Sequence, residues 1–420
     1  MKTAIINQED IMGGAARAAN RLHKGFQTVG VDSEMLVLNK ATDDKAVKTS
    51  VKMTSKMINK LRPLIDKYPT KKYDDRENVP FSVAWLPNRD LLSRINKSDY
   101  DIVHLHWINN GTLPISALSS IEKPMVWTFH DMWPITGGCH YSGECINFRT
   151  HCGDCPQLNS NMLKDLSYKT FERKQKGYQN LNLTVVTPSN WLADCVRESS
   201  LMKEFRIEVI PNGIDLDRYK PIDKAAARDV LGLPLNKKLI LFGAVNATSD
   251  QRKGFHHLKP ALDQLDKLVN QEDIEIVVFG SAKSDHSPEF GFEDNYLGRI
   301  NDDISLNLIY SAADVFLAPS MEDNLPNTVL EAIACGTPSV AFDIGGMSDL
   351  IEHEVNGYLA KPFDSSDLAR GIAWTLESEK RIEQLSKASR KKAEENFELK
   401  SVAKKHVELY EDIISKNKEY

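Results

Sequence analysis

VFLAPSMEDNLPNTVLEAIACGTPSVAF, residues 315–342, reads as a strand, a polar turn, a short apolar helix and a second strand. Val315–Ala318 is a compact apolar run, Asn324 is a fitting N-cap, Pro326 falls in the expected first turn, and Gly336 stops the helix after Ile333-Ala334-Cys335. Ser339–Phe342 then resumes as a strand. Strand, helix and strand in so short a span make a βαβ unit and call for a parallel sheet. The helix begins where a strand ends, so its first amides, from about Leu325 to Thr328, are directed at whatever binds there. Asp323 stands just before that helix and Glu331 two turns into it. Two carboxylates so spaced can accept hydrogen bonds from two separate groups of hydroxyls, such as a ribose and a hexose.

The same rhythm extends in both directions. Leu239–Val245 and Ile274–Phe279 precede this stretch, and Thr3–Ile6, Glu34–Leu38, Ile102–Leu105, Met125–Phe129 and Thr184–Thr187 repeat it in the first half. A chain of 420 residues exceeds what one core usually serves. The alternation loosens at VIPNGIDLDRYKP, where Pro211, Asn212-Gly213 and Pro221 crowd together. Two doubly wound α/β domains are therefore expected, at 1–205 and 206–401, with an amphipathic helix at about 402–420 returning to the first. Ligands of doubly wound sheets bind outside the carboxyl ends of the strands.

A net charge of −6 excludes a dedicated nucleic-acid binder. No stretch offers eighteen uninterrupted apolar residues, and the apolar run after Met1 breaks at Asn7, so a cytoplasmic protein is expected.

Two further strand ends carry chemistry. After Leu239–Val245, the loop NATSDQRKGF sets Arg252 beside Lys253, and two fixed cations at a strand end suit a diphosphate. After Thr3–Ile6, Gly13-Gly14 opens an alanine-rich helix, where backbone amides can approach a phosphate or a sugar. That turn lacks the GxGxxG and following acid of a nicotinamide-dependent oxidoreductase, the nearest rival with this fold.

At this point the chain resembles glycosyltransferase family 4, the retaining enzymes of GT-B fold. The resembling pieces are GGAARAA at 13–19, TFHDMWPITGGCHYSG at 128–143, TPSNWLAD at 187–194, VIPNGID at 209–215, RKGF at 252–255 and DNLPNTVLEAIACGTPSVAFDIGG at 323–346. The resemblance implies two Rossmann-like domains facing each other across a cleft, and transfer of a sugar from a nucleotide-sugar donor, UDP before GDP. The acceptor would be a hydroxyl of a saccharide or lipid-linked saccharide in cell-surface polysaccharide synthesis. By that resemblance Arg252 and Lys253 clamp the donor diphosphate, and Glu331 is the ribose-binding second acid of a Glu-x7-Glu motif. Asp323 stands for its first acid, one methylene shorter than the usual Glu. His130 matches the histidine beside the sugar's C6 hydroxyl, and Gly13 and Gly14 meet the donor phosphate. Donor contacts are further expected from Arg299, Ile300, Asn324, Leu325 and Thr328. No catalytic metal is expected.

Two features lie outside that motif set. Cys139, Cys145, Cys152 and Cys155 end in a C-x2-C knuckle. The readings are a structural zinc, with His140 or His151 able to replace a thiolate, or a loop of free thiols; a non-catalytic zinc module is the second rival. Between Lys45 and Lys72, Lys48, Lys52, Lys56 and Lys60 recur every four residues, with Met53, Met57, Leu61 and Leu64 available to another helical face. That is the pattern of a helix lying on anionic lipid, or of a solvated face.

Overall fold

The computed structural model describes residues 1–50, 53–243, 251–283, 289–300 and 302–418. The chain divides into two compact units: Met1–Gly213 with Leu399–Tyr420, and Ile214–Glu398.

The first unit is a seven-stranded sheet in the order β3-β2-β1-β4-β5-β6-β7. Its strands are β1 (Lys2–Glu9), β2 (Asp32–Asn39), β3 (Val47–Lys48), β4 (Ile102–Leu105), β5 (Met125–Thr128), β6 (Leu183–Thr187) and β7 (Arg206–Val209). Every pairing is parallel. Both faces are covered, as β1 shows: Ala4 and Ile6 enter one apolar cluster, and Ile5 enters the other. The helix Leu399–Lys418 supplies Val402, Ala403, Leu409, Tyr410 and Ile413 to that second cluster.

The second unit repeats the plan with six strands, β10-β9-β8-β11-β12-β13. These are β8 (Lys238–Gly243), β9 (Ile274–Phe279), β10 (Glu293–Tyr296), β11 (Val315–Ala318), β12 (Ser339–Phe342) and β13 (Gly357–Ala360), again all parallel. Leu239 and Leu241 face one core, Ile240 and Phe242 the other. Both orders run outward from a central pair, β1/β4 and β8/β11, where the winding reverses. Strand ends at such a switch point splay their loops apart and leave room for a ligand.

Three expectations require correction. Residues 206–209 were assigned to the second domain, but β7 pairs with β6 through Thr184↔Arg206 to Thr187↔Val209 and closes the first sheet. The returning helix starts at Leu399, not at 402. The lysine stripe is not one helix: Lys48 ends β3, and the helix runs only from Met53 to Asp66. Lys52 lies outside the described residues.

Candidate functional site

In the second unit, the ends of the switch-point strands are joined by an ion pair. Lys253 follows β8 and Asp323 follows β11; Lys253 Nζ donates to Asp323 Oδ2 at 2.9 Å, across 70 residues of sequence. The backbone makes a second tie, Met321 N to Arg252 O at 2.7 Å. Residues 244–250 of the loop leading to Arg252 lie outside the described set.

The segment from Pro319 to Asp323 is gripped by two glycines. Gly254 has φ +66°, and a Cβ there would lie 1.7 Å from Pro319 O. Gly345 has φ +53°, and its Cβ would lie 2.0 Å from Asp323 O. Any other residue would carry both a left-handed backbone and a collision with main chain, which cannot swing away as a side chain can. Gly346 N donates to the same Asp323 carbonyl at 3.1 Å. Asp323 is thereby fixed through its backbone from one side and through its carboxylate from the other.

The helix after it runs Asn327–Ala334, with Pro326 at the N-cap. The N-cap expected at Asn324 is thus wrong by two residues. Pro326 sits at φ −66° and ψ 121°, an extended conformation, and its carbonyl accepts from Leu330 N to open the helix. Asn324 and Leu325 are instead buried in the approach, while Thr328 is half-buried in the first turn, whose amides have no intrahelical acceptor. Glu331 is buried and accepts from Tyr310 Oη at 3.2 Å. Arg299 is exposed, and Ile300 packs half-buried on the core. Cys335 is buried and Cys195 half-buried.

In the first unit, Gly13 caps the helix Gly14–Thr28 that follows β1. His130 stands two residues beyond β5, and burial holds its imidazole down at about 4. Its Nε2 lies 2.9 Å from His106 Nδ1, just past the end of β4, and the rings are stacked at 5.1 Å. His106 is buried, and its Nε2 has no hydrogen-bond partner. If His130 donated, His106 Nε2 would carry a buried orphan N–H; if His106 donates from Nδ1, the same atom is only a bare lone pair. Orphaned donors are the rarer and costlier case. The geometry therefore favours His106 as donor and a neutral His130 protonated on Nδ1.

Asp131, the next residue, is tied in on all sides. Its Oδ2 accepts from Trp107 Nε1 at 3.1 Å and pairs with His140 Nδ1 at 2.6 Å, while Oδ1 accepts from Trp133 N at 2.9 Å. Burial works against its charge, but the contacts with His140, Trp133 and Trp107 hold it below the usual carboxylate range. His106, Trp107, Asp131 and Gly345 escaped the sequence reading. The H-x-H-W of residues 104–107 at a strand end was the signal for His106 and Trp107, while Asp131 and Gly345 lay inside the motifs at 128–143 and 323–346.

The histidines of the cysteine loop are engaged elsewhere. Both nitrogens of His140 are engaged, by Asp131 and by Ser82 Oγ at 2.9 Å. His151 is engaged likewise, by Glu172 at 2.8 Å and by Cys152 O at 2.7 Å. Among the described residues no three His, Cys, Asp or Glu side chains are placed to share a metal ion. Burial raises the thiols, Cys152 to about 12 and Cys155 to about 11. The loop is held by Lys174, which is buried and donates to Thr136 O at 2.9 Å and to Trp133 O.

Two doubly wound parallel sheets, the second with a Lys253–Asp323 ion pair at its switch point, are the architecture of a glycosyltransferase of GT-B type. Residues 12–218 match the family described as Glycosyltransferase Family 4, and residues 223–392 match Glycosyl transferases group 1. The chain belongs to the family 4 glycosyltransferases and is an enzyme of that class. It is 27% identical over 318 residues to a D-inositol 3-phosphate glycosyltransferase of Xylanimonas cellulosilytica, covering 69% of this chain and 67% of that one. Among solved structures it resembles sucrose-phosphate synthase from Thermosynechococcus elongatus (TM-score 0.70, 18% identity, 99% of each chain). It also resembles HepE from Anabaena (TM-score 0.64, 18% identity, 98% of this chain and 100% of that one).

Proposed function

We propose that the protein transfers a hexosyl group from a nucleotide sugar, a UDP-sugar before a GDP-sugar, to a hydroxyl of a saccharide or lipid-linked saccharide, with retention at the anomeric carbon. The observation that carries this reading is the Lys253–Asp323 ion pair at the switch point of the second sheet. A cation within one hydrogen bond of a carboxylate suits a leaving diphosphate beside sugar hydroxyls. HepE, similar in fold, has been crystallised with UDP-glucose, which supports the choice of uridine.

As the bond to the anomeric carbon breaks, negative charge grows on the diphosphate. Arg252, Lys253 and the amides at the start of the helix Asn327–Ala334 are assigned to receive it, a fixed arrangement of donors that needs no reorganisation. Glu331, rigidly set by Tyr310, is assigned to the ribose. Arg299 and Ile300 are assigned to the base, and Gly13 and Gly14 to the phosphate. His130, protonated on Nδ1, would offer a donor to a sugar oxygen without adding charge. The acceptor hydroxyl attacks from the face the diphosphate leaves, and the departing phosphate oxygen takes its proton. A role in cell-surface polysaccharide synthesis follows from the acceptor class.

A thermal-shift screen of UDP-glucose, UDP-N-acetylglucosamine and GDP-mannose tests the donor. A ligand at 100 times its Kd stabilises the folded state by about 2.7 kcal/mol. A UDP-sugar should raise the melting temperature, and Lys253→Met should abolish the rise; no shift with any nucleotide sugar would refute the assignment. With a responding donor in hand, an inverted anomeric configuration in the product would refute retention.

A further inference from the structure

The helix Met53–Asp66 and the short 3₁₀ turn Tyr68–Lys72 after it are turned inside out relative to a surface helix of a soluble domain. The side facing the protein is polar. Asn59, Arg62 and Asp66 are buried. Arg62 Nε donates to Gly111 O at 2.6 Å, and one of its terminal nitrogens donates to Pro87 O at 2.6 Å. Asp66 accepts from Trp85 N at 3.2 Å and Ala84 N at 3.3 Å. These bonds fix the rotation of the helix about its own axis.

The side facing away is apolar. Met57, Ile58, Leu61, Leu64, Ile65 and Tyr68 are all solvent-exposed, from 40% for Ile65 to 68% for Leu64. On a helical projection they fill one arc of about 120°, opposite the buried polar groups. Water-facing apolar side chains scattered singly are ordinary, but a contiguous stripe of six marks an interaction surface. Every exposed charge from residue 57 to residue 72 is a lysine: Lys60, Lys67, Lys71 and Lys72. Trp85, partly exposed, donates from its indole Nε1 to Asp66 O at 3.2 Å, which places a second amphipathic ring beside Tyr68's end of the stripe.

We infer that this face is a docking surface for an anionic lipid bilayer, into whose headgroup region the six apolar side chains insert while the lysines pair with lipid phosphates. An interfacial helix needs this combination, a broad apolar arc flanked by cations with aromatic rings near the boundary. A second copy of the chain suits the surface less well, because a two-fold contact would press one set of lysines against the other. The inference is independent of which sugar the enzyme transfers.

Sedimentation of the full chain with vesicles of phosphatidylcholine, with and without phosphatidylglycerol, tests it. The protein should pellet with the phosphatidylglycerol vesicles at low salt, and binding should weaken about fivefold for each of Lys60, Lys67 and Lys71 changed to Gln. The double variant Leu61→Gln, Leu64→Gln should lose at least about tenfold in partitioning at an unchanged melting temperature, since neither side chain contributes to a core. The inference falls if the wild-type chain stays in the supernatant with both vesicle types, or if the double variant binds as well as wild type. It falls equally if light scattering finds a dimer that the double variant dissolves while vesicles capture neither.

Discussion

His130 and His106 share one proton between two ring nitrogens 2.9 Å apart, and which ring owns it decides what His130 can offer on its other side. The assignment above, His106 as donor, has a direct spectroscopic readout. In long-range proton–nitrogen correlation spectra His130 should show the Nδ1–H tautomer. His106→Asn keeps a donor where Nδ1 was and should retain that tautomer. His106→Leu removes it, and should release His130 into a tautomer mixture with a larger loss in kcat than in KM. An Nε2–H tautomer for His130 in the wild-type protein would refute the assignment. At this scale contiguous motifs were legible, and the fold brings two of them together at Lys253 and Asp323. The sequence was silent on His106, because the pairing depends on how β4 and β5 are registered, Val103↔Met125 to Leu105↔Trp127, and nothing local to residue 106 encodes that.

Among the elements, the segment Pro319–Asp323 owes its position to neighbours distant in sequence. Gly254→Ala or Gly345→Ala should each destabilise the second unit by about 1–2 kcal/mol from the left-handed backbone alone. The clash with Pro319 O or Asp323 O adds to that and shifts the carboxylate. Urea unfolding measures the first effect, and loss of the nucleotide-sugar thermal shift measures the second. An alanine variant with wild-type stability and wild-type donor response would show that the grip is unimportant. The strand–turn–helix–strand order of residues 315–342 could be read from spacing because each part satisfies itself locally. The helix start could not: Asn324 has the chemistry of a cap, but the burial of Asn324 and Leu325 and the extended backbone at Pro326 delay the helix to Asn327. The helix Met53–Asp66 shows the same limit. Its lysine spacing suggested a face, but the rotation is set by carbonyls at Leu86, Pro87 and Gly111, which no periodicity reveals.

Over the whole molecule, the parallel order of both sheets was legible from repetition, but the ownership of Arg206–Val209 was not, since a short strand fits either domain until its partner is known. Protons are unevenly distributed between the units. His104, His106 and His406 are buried in the first unit, and burial lowers all three, His406 to about 3. Unfolded histidine titrates near 6.5. Between that value and the folded one the unfolded chain binds more protons, so stability is present above about pH 6.5 and drains away as pH falls. His406, held at about 3, should remove about 2 kcal/mol by pH 5. Limited proteolysis read by mass spectrometry, at pH 7 and pH 5, should find the first unit opening before the second. Simultaneous opening, or the reverse order, would show that these imidazoles are not what sets acid stability.

The helix Leu399–Lys418 packs into the first unit although all of Ile214–Glu398 lies between it and the rest of that unit. During synthesis the first unit must therefore wait, with Phe26 of the helix Gly14–Thr28 lacking its Tyr410 contact, until the ribosome has made the entire second unit. A chain cut short anywhere before Leu399 would display the apolar face that this helix covers to chaperones and proteases. Only a chain translated past Ile413 can cover all of it.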